Sequence, residues 1–575
     1  MLILGLFSGY HDASACLSDD YRLVAAVAQE RMTRRKADGG RLPIEAMEEC
    51  LRIAGTDRRE IGAVVLGRGP FPMRYYMHLP FDRRVERAAR AAAGREKQKS
   101  MERECVRYRR LDSEAMFDAA RFLADLGLPA GIPVRFFNHH LAHALPTLFH
   151  TDWEDALIYT SDGGGDNVQY SLRAFREGRL STWYGEDDEL ARPMRIDSLG
   201  LAYGYATEAL GFRINRHEGK LTGLAAFGEP AIAPALAARF TVTDVGEVLS
   251  DFADNAAMRG FVHDWARGQP REVVAASVQK VLEDATIAAV GRLLARAGGT
   301  RRVGLSGGVF GNVRLNQKLA DHFGLAEMFV YPAMSDQGLP YGGVLQYLLE
   351  RDGMATWLRQ RHRLDHLYLG RDWGAEAGRV LGDTPGLRGA ESDGLSPAAA
   401  TAQRLAAGEA VAIFTKGMEY GPRALGARSI LAAPFDVGIN QSLNDRLDRS
   451  EFMPFAPVVR EEDADAIFDL GRAKAYAARF MTVTCDVKPD WRGRIAASVH
   501  VDGTARPQVI GRDANPLYHD IVTEFAKLTG VPVLINTSFN AHEEPIINTP
   551  QECARALLDD RVDGVVTEDG VFVRG

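Results

Sequence analysis

Residues 138 to 167 decide the reading: Asn138-His139-His140-Leu141-Ala142-His143, then the apolar run Ala156-Leu157-Ile158-Tyr159-Thr160, then Ser161-Asp162-Gly163-Gly164-Gly165-Asp166-Asn167. In a helix, His139 and His143 at i and i+4 share one face, where two imidazoles can hold one metal ion. The apolar run has the length and bounds of a buried strand. It delivers Asp162 and three glycines, which suit a turn that brings backbone N–H groups to a phosphate. Each piece alone has a plain reading, as a solvated His pair or a hairpin turn. In close succession they predict a nucleotide-plus-metal site.

At 575 residues the chain exceeds what one core supports, and two to four domains are expected. A hydrophobic content of 46% with 25% charged residues is that of an ordinary globular protein, and a formal net charge of -8 gives no global attraction to nucleic acid or membrane. The five cysteines, Cys16, Cys50, Cys105, Cys485 and Cys553, have no CxxC spacing. That pattern fits a reducing, cytoplasmic setting without a disulfide framework. Met1 to Phe7 reads as a first strand, and nothing approaches the ~20 apolar residues of a membrane span.

Strand, small polar turn and strand open the chain at Leu2–Phe7, Ser8–Ser14 and Ala15–Leu17, and the pattern recurs at Ala156–Ala174. The recurrence predicts a duplicated α/β unit whose two turns face each other across a nucleotide cleft. Residues 83 to 110 hold eleven Arg or Lys against four Glu. This segment reads either as a solvated helical arm or as a basic flap over an anionic substrate or nucleic acid. His217 to Gly223 reads as a loop carrying Lys220. Val303–Leu305 runs as a strand into Ser306-Gly307-Gly308-Val309-Phe310-Gly311-Asn312 and a helix, which places a helix N-terminus at a ligand. Ser335-Asp336-Gln337-Gly338 is a turn with one carboxylate. A linker is expected at 356–370, between domains at 1–355 and 371–575. In the second domain helices are expected near 397–407 and 439–448, and strands at Ala410–Phe414, Phe480–Cys485 and Pro532–Ile535. Arg423, Arg428 and Arg506 lie beside glycines and prolines, as if on fixed loops that offer guanidinium forks to phosphate.

Taken together, His11-Asp12-Ala13-Ser14, Gln29-Glu30-Arg31, His139 to His143, Asp162 to Asp166, Glu218-Gly219-Lys220, Ser306 to Asn312, Gly421-Pro422-Arg423-Ala424-Leu425-Gly426, Pro454-Phe455-Ala456-Pro457, Asp502 to Pro507 and Asn536-Thr537-Ser538-Phe539-Asn540 resemble the O-carbamoyltransferase family of the nodulation protein NodU and the antibiotic-tailoring carbamoyltransferases. The resemblance covers nearly the whole chain. It implies an α/β architecture: an N-terminal duplicated actin-like ATPase (ASKHA) domain similar to the tRNA threonylcarbamoyl transferase, and a C-terminal α+β YrdC-like domain similar to the threonylcarbamoyl-adenylate synthase. It implies that ATP (with Mg2+) and carbamoyl phosphate give carbamoyl adenylate in the second domain, whose carbamoyl group passes to an acceptor hydroxyl in the first.

By motif, His139, His143, Asp162 and Asp336 would hold a divalent metal, Fe2+ first and Mn2+ or Zn2+ as alternatives, and His11 would be the general base. Gly163, Gly164, Asp166, Lys220, Gly307, Gly308 and Asn312 would take the adenylate. Lys416, Arg423, Arg449, Arg506, Asn536 and Ser538 would grip carbamoyl phosphate and ATP. One departure stands out: Arg449-Ser450-Glu451-Phe452-Met453 replaces the family's Arg-Glu-x-Phe-Arg, so the second arginine is missing. The acceptor stays open between a sugar or natural-product hydroxyl and a hydroxymethylated base or nucleotide reached through 83–110; a homodimer is open too, and a membrane partner is not expected. The rival readings are a catalytically degenerate nucleotide-binding regulator and a sugar kinase of the actin-like class.

Overall fold

The computed structural model describes residues 1–77, 81–92, 97–391, 394–449 and 452–575. The fold is mixed α/β. Its first sheet has five strands in the order Arg22–Ala28, Ser14–Asp19, Leu2–Phe7, Ile61–Leu66, Val134–Phe136. The first three form an antiparallel meander and the last two join in parallel. The second sheet repeats the plan with Arg179–Tyr184, Val168–Arg176, Asp155–Gly165, Arg302–Ser306 and Glu327–Val330. Order and strand sense match sheet for sheet, as the recurring hairpin predicts.

Two helices lie between the sheets and touch each other. His139–Phe149 packs on the second sheet and Leu339–Asp352 on the first. Asn138 caps the former, its side chain accepting the Leu141 N–H at 2.7 Å. Pro146 sits inside that helix and has no N–H, which frees the carbonyl of Ala142 four residues back. Gly342 approaches that carbonyl so closely that a Cβ there would lie 1.8 Å from the oxygen.

The C-terminal half builds an eight-stranded mixed sheet in the order Leu387–Gly389, Gly570–Arg574, Gly564–Thr567, Val411–Phe414, Arg428–Ala432, Val533–Ser538, Ala456–Arg460, Gln508–Ile510. Helices form at Pro397–Ala406 and Gly438–Arg446. The strand expected at Phe480–Cys485 is instead a loop, with strand only over Cys485–Val487. Met481 takes a left-handed φ of 57°, and the Asn316 side chain donates to the Thr482 carbonyl at 2.8 Å. Those residues serve the junction between the halves rather than a sheet. Tyr476 stacks on Phe329 with centroids 4.4 Å apart, and Lys474 pairs with Asp321 at 2.6 Å. The apolar cores run across the junction without a break.

The linker expected at 356–370 is not featureless. Helix Met354–Arg359 buries Trp357, and Tyr368–Asp372 pairs with Gly417–Glu419 as a two-stranded antiparallel sheet. The basic segment forms helices Phe81–Ala92 and Met101–Tyr108 around strand Gln98–Ser100. Met101 and Cys105 anchor the second helix in the first sheet's core. Glu86 lies within ion-pair reach of Arg83, Arg90, Lys97 and Lys99, which pulls its carboxyl down to about 2, with Lys97 the leading cause. Part of the local charge is therefore spent internally. Among the described residues no helix is long and apolar enough to cross a membrane.

Candidate metal centre and the cavity between the halves

The His139–Phe149 helix turns His139 and His143 to one side with ring centroids 4.9 Å apart. His140 points elsewhere: its Nδ1 meets the Thr160 hydroxyl at 2.8 Å and its Nε2 the Val168 carbonyl at 3.2 Å. Burial drives its pKa well down, so it pins the helix to the strand as a neutral ring. The strand supplies Asp162, whose Oδ2 lies 3.0 Å from His143 Nε2 and 3.8 Å from His139 Nε2. The turn before Leu339–Asp352 supplies Asp336, whose Oδ1 lies 3.5 Å from His143 Nε2 and 3.6 Å from His139 Nε2. All four donor atoms fall within 4.8 Å of one another.

His139 Nε2 and Asp336 Oδ1 are buried with no hydrogen-bond partner among the described residues. Two orphaned ligand atoms facing each other are costly unless something sits between them. Two imidazoles and two carboxylates fit a divalent first-row cation. Without one, the charges answer each other. Burial alone would raise Asp162, but the His139 and His143 rings beside it hold it well below the usual range. Burial alone would lower His139, yet Asp336 and Asp162 raise it to about 9.

The centre opens into a cavity of about 400 Å³ walled by both halves of the chain. His11 stands at its edge, with its Nδ1 3.5 Å from Asp12 Oδ2. Burial works against a charged ring there, but Asp12, Asp336 and Asp162 together raise His11 to about 10. Gly163, Gly308 and Asn312 line the same space, as do Glu218, Gly219 and Thr222. Arg423, Ser538 and Asn540 reach it from the C-terminal half.

Several expected ligand contacts are placed differently. The glycine run is not a turn but the end of the Asp155–Gly165 strand; the turn is Asp166-Asn167, both at left-handed φ. Gly164 lies outside the cavity lining. Asp166 is buried, takes the His139 N–H at 2.7 Å and pairs with Arg68 at 2.6 Å, so it braces the metal helix. Gly307 is needed for packing, since a Cβ there would stand 2.2 Å from the Ser161 carbonyl oxygen. Lys220 is on a short helix, Glu218–Leu224, not a loop; it is buried, with its ammonium 5.9 Å from the Phe212 ring centre.

In the C-terminal half, Lys416 lines a separate cleft of about 530 Å³ beside Arg52 and Arg371. Asn536 is buried, donating to the Ala424 carbonyl and Gln508 Oε1. Arg449 clamps the loop from below, bonding Thr537, Ser538 and Asn540. Arg428 is wholly buried among carbonyls of Thr415, Ala427 and Arg371. Arg506 lies outside the cavity lining. Of the departing stretch, Ser450 and Glu451 fall outside the described residues; Met453 abuts Gly223 of the other half, an apolar contact where an arginine was expected.

Sequence reasoning gave no role to Arg31, Lys36, Asn540 or Glu543. The first three line the cavity. Glu543 lies behind that lining and holds Arg216, which is part of it, at 3.0 Å, together with Arg213 at 2.5 Å and His217 Nε2 at 2.7 Å. His217 Nδ1 accepts the Arg213 N–H, which fixes Nε2 as the donor to Glu543. The trio His217, His542 and Glu543 is thus an ion-paired latch, its carboxylate already taken by two guanidinium groups. Burial would raise Glu543, but His217 and Arg216 lower it to about 2, below an unfolded value of about 4.3. Its contribution is therefore full above about pH 4.3 and is lost as pH falls through about 2. Calorimetry across pH 2–7 should find Glu543→Gln less stable than wild type at pH 7, with the gap closing toward pH 2; a constant gap would contradict the latch.

The carboxylates of Asp162 and Asp336 thus line the cavity beside Gly163 and Gly308. Residues 2–345 match the family model described as Carbamoyltransferase N-terminus, and residues 402–574 match Carbamoyltransferase C-terminus. Nodulation protein NolNO of Sinorhizobium fredii is 32% identical over 97% of this chain and 78% of its own length. Nodulation protein NolO of Bradyrhizobium diazoefficiens is 33% identical over 75% of this chain and 77% of its own. Nodulation protein U of Azorhizobium caulinodans is 33% identical over 48% and 46%. The chain belongs to the carbamoyltransferase family that includes the NodU and NolO proteins, and it is a transferase of carbamoyl groups.

Proposed function

We propose that the protein is an ATP-dependent O-carbamoyltransferase working in two steps within one cavity. The single observation that supports this best is that Asp162 and Asp336, the carboxylates of the four-residue cluster, share one cavity of about 400 Å³ with Arg423, Ser538 and Asn540 of the other half. The C-terminal half, read as YrdC-like, makes the adenylate. Water cleaves the P–O bond of carbamoyl phosphate, releasing phosphate and carbamate; a carbamate oxygen then attacks the α-phosphorus of ATP and pyrophosphate leaves. In the N-terminal half, read as an actin-like ATPase domain from its duplicated sheets, the acceptor oxygen attacks the carbamoyl carbon and AMP leaves. The hydroxyl proton goes to His11.

His139, His143, Asp162 and Asp336 would hold a divalent cation, Fe2+ first and Mn2+ or Zn2+ next, which when bound supplies Lewis acidity for the carbamoyl carbonyl or the phosphate oxygens. Against burial, Asp12, Asp336 and Asp162 raise His11; a cation held by the latter two carboxylates would offset part of that pull and favour the neutral ring a base needs. Asp12 then orients Nδ1. Gly163 and Gly308 leave room for the nucleotide to approach the backbone. The acceptor is a hydroxyl compound, a sugar or natural product or a hydroxymethylated base.

Supplied with ATP, carbamoyl phosphate and divalent cation, the enzyme should release pyrophosphate. ADP instead would favour the sugar-kinase reading, and no product would favour the degenerate regulator. His11→Ala should spare pyrophosphate release and slow transfer by about 10²–10⁴-fold. Equal loss of both steps would contradict the two-step assignment.

A further inference from the structure

We propose that Arg31 and Lys36 form a phosphate-holding station at the boundary between the halves, which retains carbamoyl adenylate between its formation and its use. The proposal rests on the two-step reading above. Arg31 leaves the first sheet on the short Gln29–Thr33 helix and is 2% exposed. Its Nη2 donates to the Gly421 carbonyl at 2.9 Å, in the Gly421-Pro422-Arg423 loop of the other half. Its Nε lies 3.5 Å from Glu30 Oε1, too poorly aligned for a hydrogen bond. Nε and Nη1 have no hydrogen-bond partner among the described residues.

Glu30 is partly committed elsewhere, since its Oε2 takes the Ala37 N–H at 2.8 Å. A buried guanidinium N–H without an acceptor costs more than a neutral donor would. The cavity is the side from which an acceptor can come, because Arg31 lines it. Lys36 lines it too, and its loop is fixed from the N-terminal half by Arg216, which donates to the Lys36 carbonyl at 2.8 Å. Burial lowers the Lys36 ammonium, and an anion beside it would reverse that push.

Two cations that line one cavity, with Arg423 in the same lining, suit phosphoryl oxygens. Carbamoyl adenylate carries one phosphate anion and is readily hydrolysed, so a group that holds that phosphate without releasing it to solvent has a clear use. The leaving pyrophosphate carries the same chemistry, and the test must separate the two.

The full-length enzyme, loaded with divalent cation, is given ATP and [14C]carbamoyl phosphate without acceptor and passed rapidly through a gel-filtration column. Wild type should carry label through the column. Arg31→Met should retain at least ten-fold less, with the missing carbamoyl groups captured by hydroxylamine in the buffer as hydroxyurea. Arg31→Lys should recover part of the retention, and Lys36→Gln, at a half-buried position, should lose it in part. Undiminished retention in both Arg31→Met and Lys36→Gln overturns the station. So does unchanged retention with weakened inhibition by added pyrophosphate, which would assign the cations to the leaving group. A wild type that makes no pyrophosphate overturns the two-step reading, and the station with it.

Discussion

Asp336→Asn is expected to abolish metal-linked stabilisation and to cut carbamoyl transfer by at least about 10²-fold. Substitutions that only support metal ligands already cost about 10–100-fold in metal affinity or activity, and Asp336 Oδ1 is itself one of the four donor atoms gathered within 4.8 Å. An amide presents a neutral oxygen where the site offers a carboxylate, so one of two negative charges facing the cation is removed. A cation that binds only the folded state stabilises by about 2.7 kcal/mol at a hundred times its Kd. Wild type should therefore melt higher when Mn2+ or Fe2+ is added under anaerobic conditions, and Asp336→Asn should not. Metal content by plasma emission should fall from near one per chain. A variant with wild-type metal content and an unchanged thermal response would remove Asp336 from the centre.

Gly342→Ala should be among the most destabilising single-methyl additions in the chain, at about 3 kcal/mol or more. Overpacking typically costs 1–3 kcal/mol, and more where backbone is the obstacle. The obstacle here is the Ala142 carbonyl, 1.8 Å from the new carbon, with the Ala142 backbone carbon at 2.5 Å. Neither can rotate away as a side chain would. The two helices must separate, and they are the elements that carry His139 and His143 on one side and follow Asp336 on the other. Lost stability should thus be accompanied by weakened metal binding. Gly260→Ala is the control: it lies in the Asn255–Ala266 helix with open space where the Cβ would go, and should gain up to about 1 kcal/mol. Urea melts of the three proteins read both effects; equal stability of Gly342→Ala and wild type would refute the close-approach argument.

The sequence alone determined the elements and the chemistry that local spacing carries. The i, i+4 histidines, the strand that ends in Asp162, the glycine pair before a helix and the recurring hairpin are all set by period and by turn-forming residues within a few positions. They set the repeated hairpin and three of the donors, His139, His143 and Asp162, because backbone preference and apolar alternation are local properties; Asp336 joined them only through the family resemblance. Where a side chain finally points is not local. Asp166 and Lys220 resembled ligand contacts in the chain, yet tertiary packing committed one to Arg68 and to a helix N–H and buried the other against Phe212. Lys416 and Asn536 sit in the right motifs but face another cleft and the sheet interior. Arg31, Lys36 and Glu543 showed nothing in the sequence that ordinary charged residues lack. Their roles exist only because segments some 400 residues apart in the chain are pressed together, so that Arg31, in the cavity wall, reaches the Gly421 carbonyl and Glu543 holds Arg216, which lines the same cavity.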